Sequence, residues 1–83
     1  KSAAICMACI KIIDSIKIYI YKRDHNPPHF HAIIAEYEEL IIIESLSTYS
    51  GNLPKTYRKK VIEWAENNKE FIMTNWNLLN GKK

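Results

Sequence analysis

An α+β fold is predicted by three features of this 83-residue chain: an alternating run at Ile16–Tyr21, a Pro-Pro corner just after it, and a C-terminal third patterned at helical spacing. Together they describe a single domain, residues 1–83, built as a small antiparallel sheet of three to four strands. A C-terminal helix, or a kinked helix pair, packs on one face. A chain of this size buries only about 60–65% of its unfolded surface, so no second core is expected. With 47% apolar and 25% charged residues the composition is that of a globular protein. No run approaches the ~20 apolar residues of a membrane span.

The elements follow in order. The apolar residues between Ala3 and Ile13 fit neither the helical nor the strand period, which suits an edge strand or an irregular lead-in. Lys1 and the apolar run after it have about the length of a signal-peptide h-region. Lys11 interrupts the run at once, and the expectation is a soluble, cytoplasmic protein. Asp14-Ser15 signals a turn. Ile16, Ile18 and Ile20 then share one face of a strand, with Lys17, Tyr19 and Tyr21 on the other. After the prolines, Phe30 to Tyr37 reads as a second strand, and Glu38-Glu39 as a tight reversal. Leu40–Ile43 reads as a third strand, apolar on both faces and so central or covered by a helix. A short fourth strand is expected within Ser45–Ser50, closed by a Gly51-Asn52 turn. Leu53-Pro54 opens a helix with proline in the first turn. Tyr57, Val61, Trp64 and Ala65 form its apolar stripe, and Phe71, Ile72, Trp76 and Leu79 continue the period. Asn67-Asn68 is read as a break, with Asn67 as N-cap and Glu70 as its capping-box partner. Gly81 terminates the helix.

The stretch Asp24-His25-Asn26-Pro27-Pro28-His29-Phe30-His31-Ala32 carries the chemistry. It holds all three histidines and two of the three prolines. Consecutive prolines fix φ and remove two backbone donors, so neither helix nor paired strand runs through them. A stiff corner loses little further entropy in holding side chains in one pose. Period two sets His29 and His31 side by side, about 6–7 Å apart along the strand. Imidazole is the side chain whose unperturbed proton affinity lies nearest neutrality. The competing reading is a plain turn whose histidines merely cap it.

Cys6-x-x-Cys9 followed by His25-x-x-x-His29 has the letter pattern of a Cys₂His₂ zinc site. In a zinc finger the paired histidines ride a helix, which Pro27-Pro28 forbid here. A cysteine-free set of Asp24, His25, His29 and His31 is the fallback metal site, and the cysteines otherwise read as small buried hydrophobes. Gly51 and Gly81 are the only glycines, so no phosphate-cradling loop exists and no cofactor is expected. The remaining chemistry is metal-free cleavage of RNA, which needs a base, an acid and cations for the phosphorane charge. His29 and His31 would be base and acid, with His25 and Arg23 completing the catalytic set. Lys22, Lys55, Arg58 and Lys59 would meet phosphate or an acidic partner, and Tyr19 and Tyr21 would stack bases.

Several stretches together resemble a known family. They are Ile18-Tyr19-Ile20-Tyr21, the Asp24–Ala32 motif, Gly51-Asn52-Leu53-Pro54, Glu63-Trp64-Ala65 and Asn75-Trp76. With them the chain is similar, from about Ile5 to Leu79, to the small bacterial proteins of domain-of-unknown-function family 4160. Some members are held to be toxins of type II toxin–antitoxin pairs. The resemblance implies a short cytoplasmic protein with a cognate antitoxin and supports the motif residues as functional, but it supplies no reaction. Cys6 and Cys9 lie outside the family pattern. Two functions stay open: a toxin acting on RNA through the histidine corner, and a non-catalytic regulatory module. In the second, the corner is a structural lock and the basic helix docks an acidic protein or DNA. Exposed sheet edges make a homodimer a further expectation.

Overall fold

The computed structural model describes residues 7–81 as a five-stranded antiparallel sheet followed by two helices. Strands β1 (Met7–Ile13), β2 (Ile16–Tyr21), β3 (His29–Ile34), β4 (Tyr37–Ile42) and β5 (Thr48–Asn52) lie side by side in chain order. Helices α1 (Lys55–Glu66) and α2 (Lys69–Asn80) follow. The fold is the α+β arrangement expected, with one strand more than the three to four predicted. The extra strand is the lead-in. A register shift between Cys9 and Lys11 breaks its alternation, which is why its apolar residues match no single period.

In β2, Ile16, Ile18 and Ile20 are fully buried, while Lys17 is exposed and Tyr19 and Tyr21 are half-buried. Ile18 pairs with Ala32, and Phe30 with Ile41, so the buried faces of β2, β3 and β4 form one apolar surface. The helices cover it with Val61, Ala65, Ile72 and Trp76. Phe30 meets Trp64 edge to face at 6.4 Å between ring centroids. Each buried isoleucine contributes about 1.5–3 kcal/mol relative to exposure.

Several boundaries differ from the sequence expectation. The reversal after β3 falls at Ala35-Glu36, not at Glu38-Glu39, and Ala35 has φ 53°. Alanine carries no left-handed signature, so nothing in the sequence marks the turn. Glu38 and Glu39 consequently sit inside β4, on opposite faces. Gly51-Asn52 belongs to β5 instead of closing it. Pro54 is the N-cap of α1 rather than a first-turn residue. The helix break at Asn67-Asn68 is present, but the capping box is not. Asn67 donates its side-chain N–H to Glu63 O (3.0 Å) and Asn68 to Trp64 O (2.7 Å), so both amides close α1 instead of opening α2.

Glu39 points under the helices and is 1% exposed. Its carboxylate accepts from the Thr48 hydroxyl at 2.5 Å, the Leu53 backbone N–H at 3.0 Å and Arg58 Nε at 2.9 Å. A buried carboxylate is tolerated only when paired and hydrogen-bonded in this way. Arg58 is therefore committed to tying α1 to β4.

Candidate functional site

The corner between β2 and β3 is held from the far end of the chain. Asn80, the last residue of α2, accepts the Asp24 backbone N–H on Oδ1 at 2.6 Å. Its Nδ2 donates to the carbonyls of Tyr21 (3.0 Å) and Trp76 (3.2 Å). Pro27-Pro28 then deliver the chain into β3, and the Pro28 carbonyl accepts the Ile43 N–H at 3.0 Å.

Three side chains converge there. Asp24 Oδ2 lies 3.0 Å from His29 Nε2 and 3.2 Å from His31 Nε2. His29 is completely buried, its ring 5.3 Å from that of Trp76, and its Nδ1 is 2.8 Å from the Pro27 carbonyl. His31 is 7% exposed and lies flat against Tyr21, with centroids 4.1 Å apart and planes 16° apart. His31 Nδ1 is 2.9 Å from Glu38 Oε2. Asp24 also accepts the His25 backbone N–H on Oδ1 at 2.9 Å. Burial alone would raise the Asp24 pKa. A hydrogen bond from His31, the His25 N–H and the positive charge the two histidines carry when protonated outweigh it and hold the carboxyl below its ordinary value. Tyr21 shifts upward, through burial first and then the nearby charges of Glu38, Tyr19 and Asp24.

The other expected site residues distribute unevenly. The His25 side chain is 60% exposed, and its ring sits beside those of His29 (5.2 Å) and Tyr49 (5.7 Å). Tyr19 stands opposite His31 in the register, on the sheet face the helices leave open. Lys22 and Arg23 are exposed next to the corner, Arg23 with φ 59°. Lys55, Arg58 and Lys59 line a separate groove of about 510 Å³ with Ile62, Glu63 and Glu66, sharing no residue with the corner. Cys9 is exposed on β1, and Cys6 lies outside the described residues. Of the four fallback ligands, Asp24, His29 and His31 bring one donor atom each within 4.8 Å of one another.

Glu38, Trp76, Asn80 and Tyr49 complete the surroundings, and sequence reasoning missed them. A two-residue turn at Ala35-Glu36 would have put Glu38 on the same face as His31 by period two. Nothing local marks Asn80, which acts 56 residues from Asp24. A pocket of about 480 Å³ opens beside Asp24, between Asn26, Pro28, Trp76, Asn77 and Asn80.

Residues 15–77 match the family described as a domain of unknown function, DUF4160. The chain belongs to the DUF4160 family. No curated protein and no solved structure matches it. The matched span of this DUF4160 domain takes in the corner, its three histidines and Glu38, and ends before Asn80. Among the described residues, no helix is long and apolar enough to cross a membrane.

Proposed function

We propose that this DUF4160 domain acts on RNA as the toxin-like member of a type II toxin–antitoxin pair, with the Asp24–His29–His31 cluster as its working centre. The observation that carries this reading is the meeting of that cluster with an aromatic surface. Tyr21 stacks on His31, Tyr19 faces it across the register, and Tyr49 lies 5.6 Å from His29, ring to ring. Splayed bases stack on aromatic side chains, and single-stranded RNA is read largely this way. Lys17, Lys22 and Arg23 supply exposed positive charge around the same region for phosphates. His29, with no exposed surface, cannot touch a substrate, so it is withdrawn as the base proposed from spacing. His31 and His25 are the imidazoles within reach.

Induced expression in bacterial cells tests the reading. Growth arrest with fragmented RNA is expected, relieved by His31→Ala and by Asp24→Asn at equal protein levels. Unimpeded growth and intact RNA with the parent chain would end the proposal. A cognate antitoxin would protect the cells. The groove bearing Lys55 and Lys59 favours a second reading, a regulatory module that docks an acidic protein. Under it, His31→Ala leaves partner binding intact and Lys55→Glu with Lys59→Glu abolishes it.

A further inference from the structure

We infer that Asp24, His29 and His31 form a mononuclear site for a late first-row divalent ion of the zinc or iron class. The inference rests on the reading of this cluster as the working centre and deepens it by naming a cofactor. The protons decide the matter. A carbonyl oxygen only accepts, so the contact of 2.8 Å between His29 Nδ1 and Pro27 O places a hydrogen on Nδ1. The Glu38 carboxylate does the same for His31 Nδ1 at 2.9 Å. With the hydrogen on Nδ1, the neutral form of each ring is the tautomer whose Nε2 lone pair is free. Both Nε2 atoms lie close to the same carboxylate oxygen, at 3.0 and 3.2 Å, and that oxygen is itself only an acceptor when ionised. Three acceptors crowded together in this way are mutually repulsive unless a cation lies among them.

A proton is the rival cation. On His31 Nε2 it would serve the 3.2 Å bond to Asp24 Oδ2 yet leave His29 Nε2 unpaired, and on His29 Nε2 it would put a full positive charge on a ring with no exposed surface. The geometry does not suit a bond from His29 Nε2. Asp24 Oδ2 is 3.0 Å away but off the direction an Nε2–H would take. His29 Nε2 remains the one buried side-chain polar atom without a hydrogen-bond partner among the described residues. The separations fit a metal instead. Donors bound at about 2.0–2.1 Å stand roughly 2.8–3.4 Å apart at octahedral to tetrahedral angles, and the two histidine–aspartate separations are 3.0 and 3.2 Å.

The donor set names the ion class. Two imidazoles and one carboxylate suit Zn²⁺ or Fe²⁺, whereas Mg²⁺ and Ca²⁺ favour oxygen throughout. Three protein ligands leave coordination positions open for water or substrate, as catalytic sites do and closed structural sites do not. The surroundings are those of a metal site as well. Glu38 and the Pro27 carbonyl orient the two histidines, and Asn80 holds the aspartate backbone. When bound, the ion supplies a Lewis acid and an activated water.

The test uses the full chain, stripped with chelator and then dialysed against Zn²⁺, or against Co²⁺ for its visible spectrum, with elemental analysis. One ion per chain is expected, with a cobalt spectrum of mixed nitrogen and oxygen ligation. His31→Ala and Asp24→Ala should lose at least tenfold in affinity, and His25→Ala should keep it. Should His29→Ala fail to fold, Glu38→Gln carries the point: an orienting partner costs about 10–100-fold in metal affinity when removed. No stoichiometric binding by the parent, or equal binding by His31→Ala, overturns the inference. A chain that arrests growth without binding metal refutes the metal and spares the toxin reading. A chain that binds one ion but leaves growth and RNA untouched does the reverse.

Discussion

Glu39 and Asp24 are both carboxylates drawn inward, and they make different predictions. Among the described residues Arg58 is the only charged partner of Glu39, at 2.9 Å, and the carboxylate is 1% exposed. Arg58→Ala leaves an anion in the core with only the Thr48 and Leu53 bonds, so it should cost about 3 kcal/mol, the lower end for a broken buried pair. Urea unfolding measures this, and a cost within a few tenths of a kcal/mol would show that the pair is not a structural tie. For Asp24, the folded carboxyl ionises below its ordinary value. A depressed carboxyl stabilises the fold at every pH above its unfolded value, and that contribution disappears as pH falls through the folded one. Stability should therefore decline as the solution is taken below about pH 4. Asp24→Asn should lack that part of the acid limb when denaturant midpoints are compared across pH.

Two elements carry constraints that a side-chain inventory hides. Gly51 sits in β5 with φ 74°, and an added Cβ would collide with the Glu38 carbonyl oxygen across the β4–β5 pair. Gly51→Ala should thus destabilise by about 1–3 kcal/mol and displace β4 near Glu38. The end of α2 matters for a different reason. Asn80 bonds to Asp24 N, Tyr21 O and Trp76 O, and Asn80→Ala should cost about 1–3 kcal/mol by leaving part-buried backbone groups unpaired. These particulars show what was legible in the sequence. The β2 alternation, the proline corner and the adjacency of His29 and His31 follow from period two and proline sterics, and all were readable. The turn at Ala35-Glu36 was not, because a left-handed alanine is held by the hairpin around it and not by its own preference. Edge strand β1 was obscured by its own register shift. The partners of Glu39 and Asp24 come from helices 19 and 56 residues further on, and no local pattern encodes such pairings.

At the scale of the whole molecule, the sheet is a meander of neighbours, and the long-range closure is made by the helices. Both of its edge strands disfavour a second copy: β1 carries a register shift, and β5 is short and pairs with a register shift of its own. Bulged or short edges resist strand addition. The closure through α2 joins folding to the site, since the residue that fixes Asp24 belongs to the helix whose Ile72 and Trp76 cover the core. An ion held by Asp24, His29 and His31 exists only in the folded chain, so binding adds its free energy to folding. At 100 times the dissociation constant that addition is about 2.7 kcal/mol. A domain of this size gains about 4–8 °C per kcal/mol. The thermal midpoint should therefore rise by roughly 10–20 °C in saturating Zn²⁺ relative to chelator. Asn80→Ala should start from a lower midpoint and gain less from the ion, because the aspartate it frees must be ordered again on binding. A metal-induced rise as large in His31→Ala as in the parent would place the ion elsewhere on the chain.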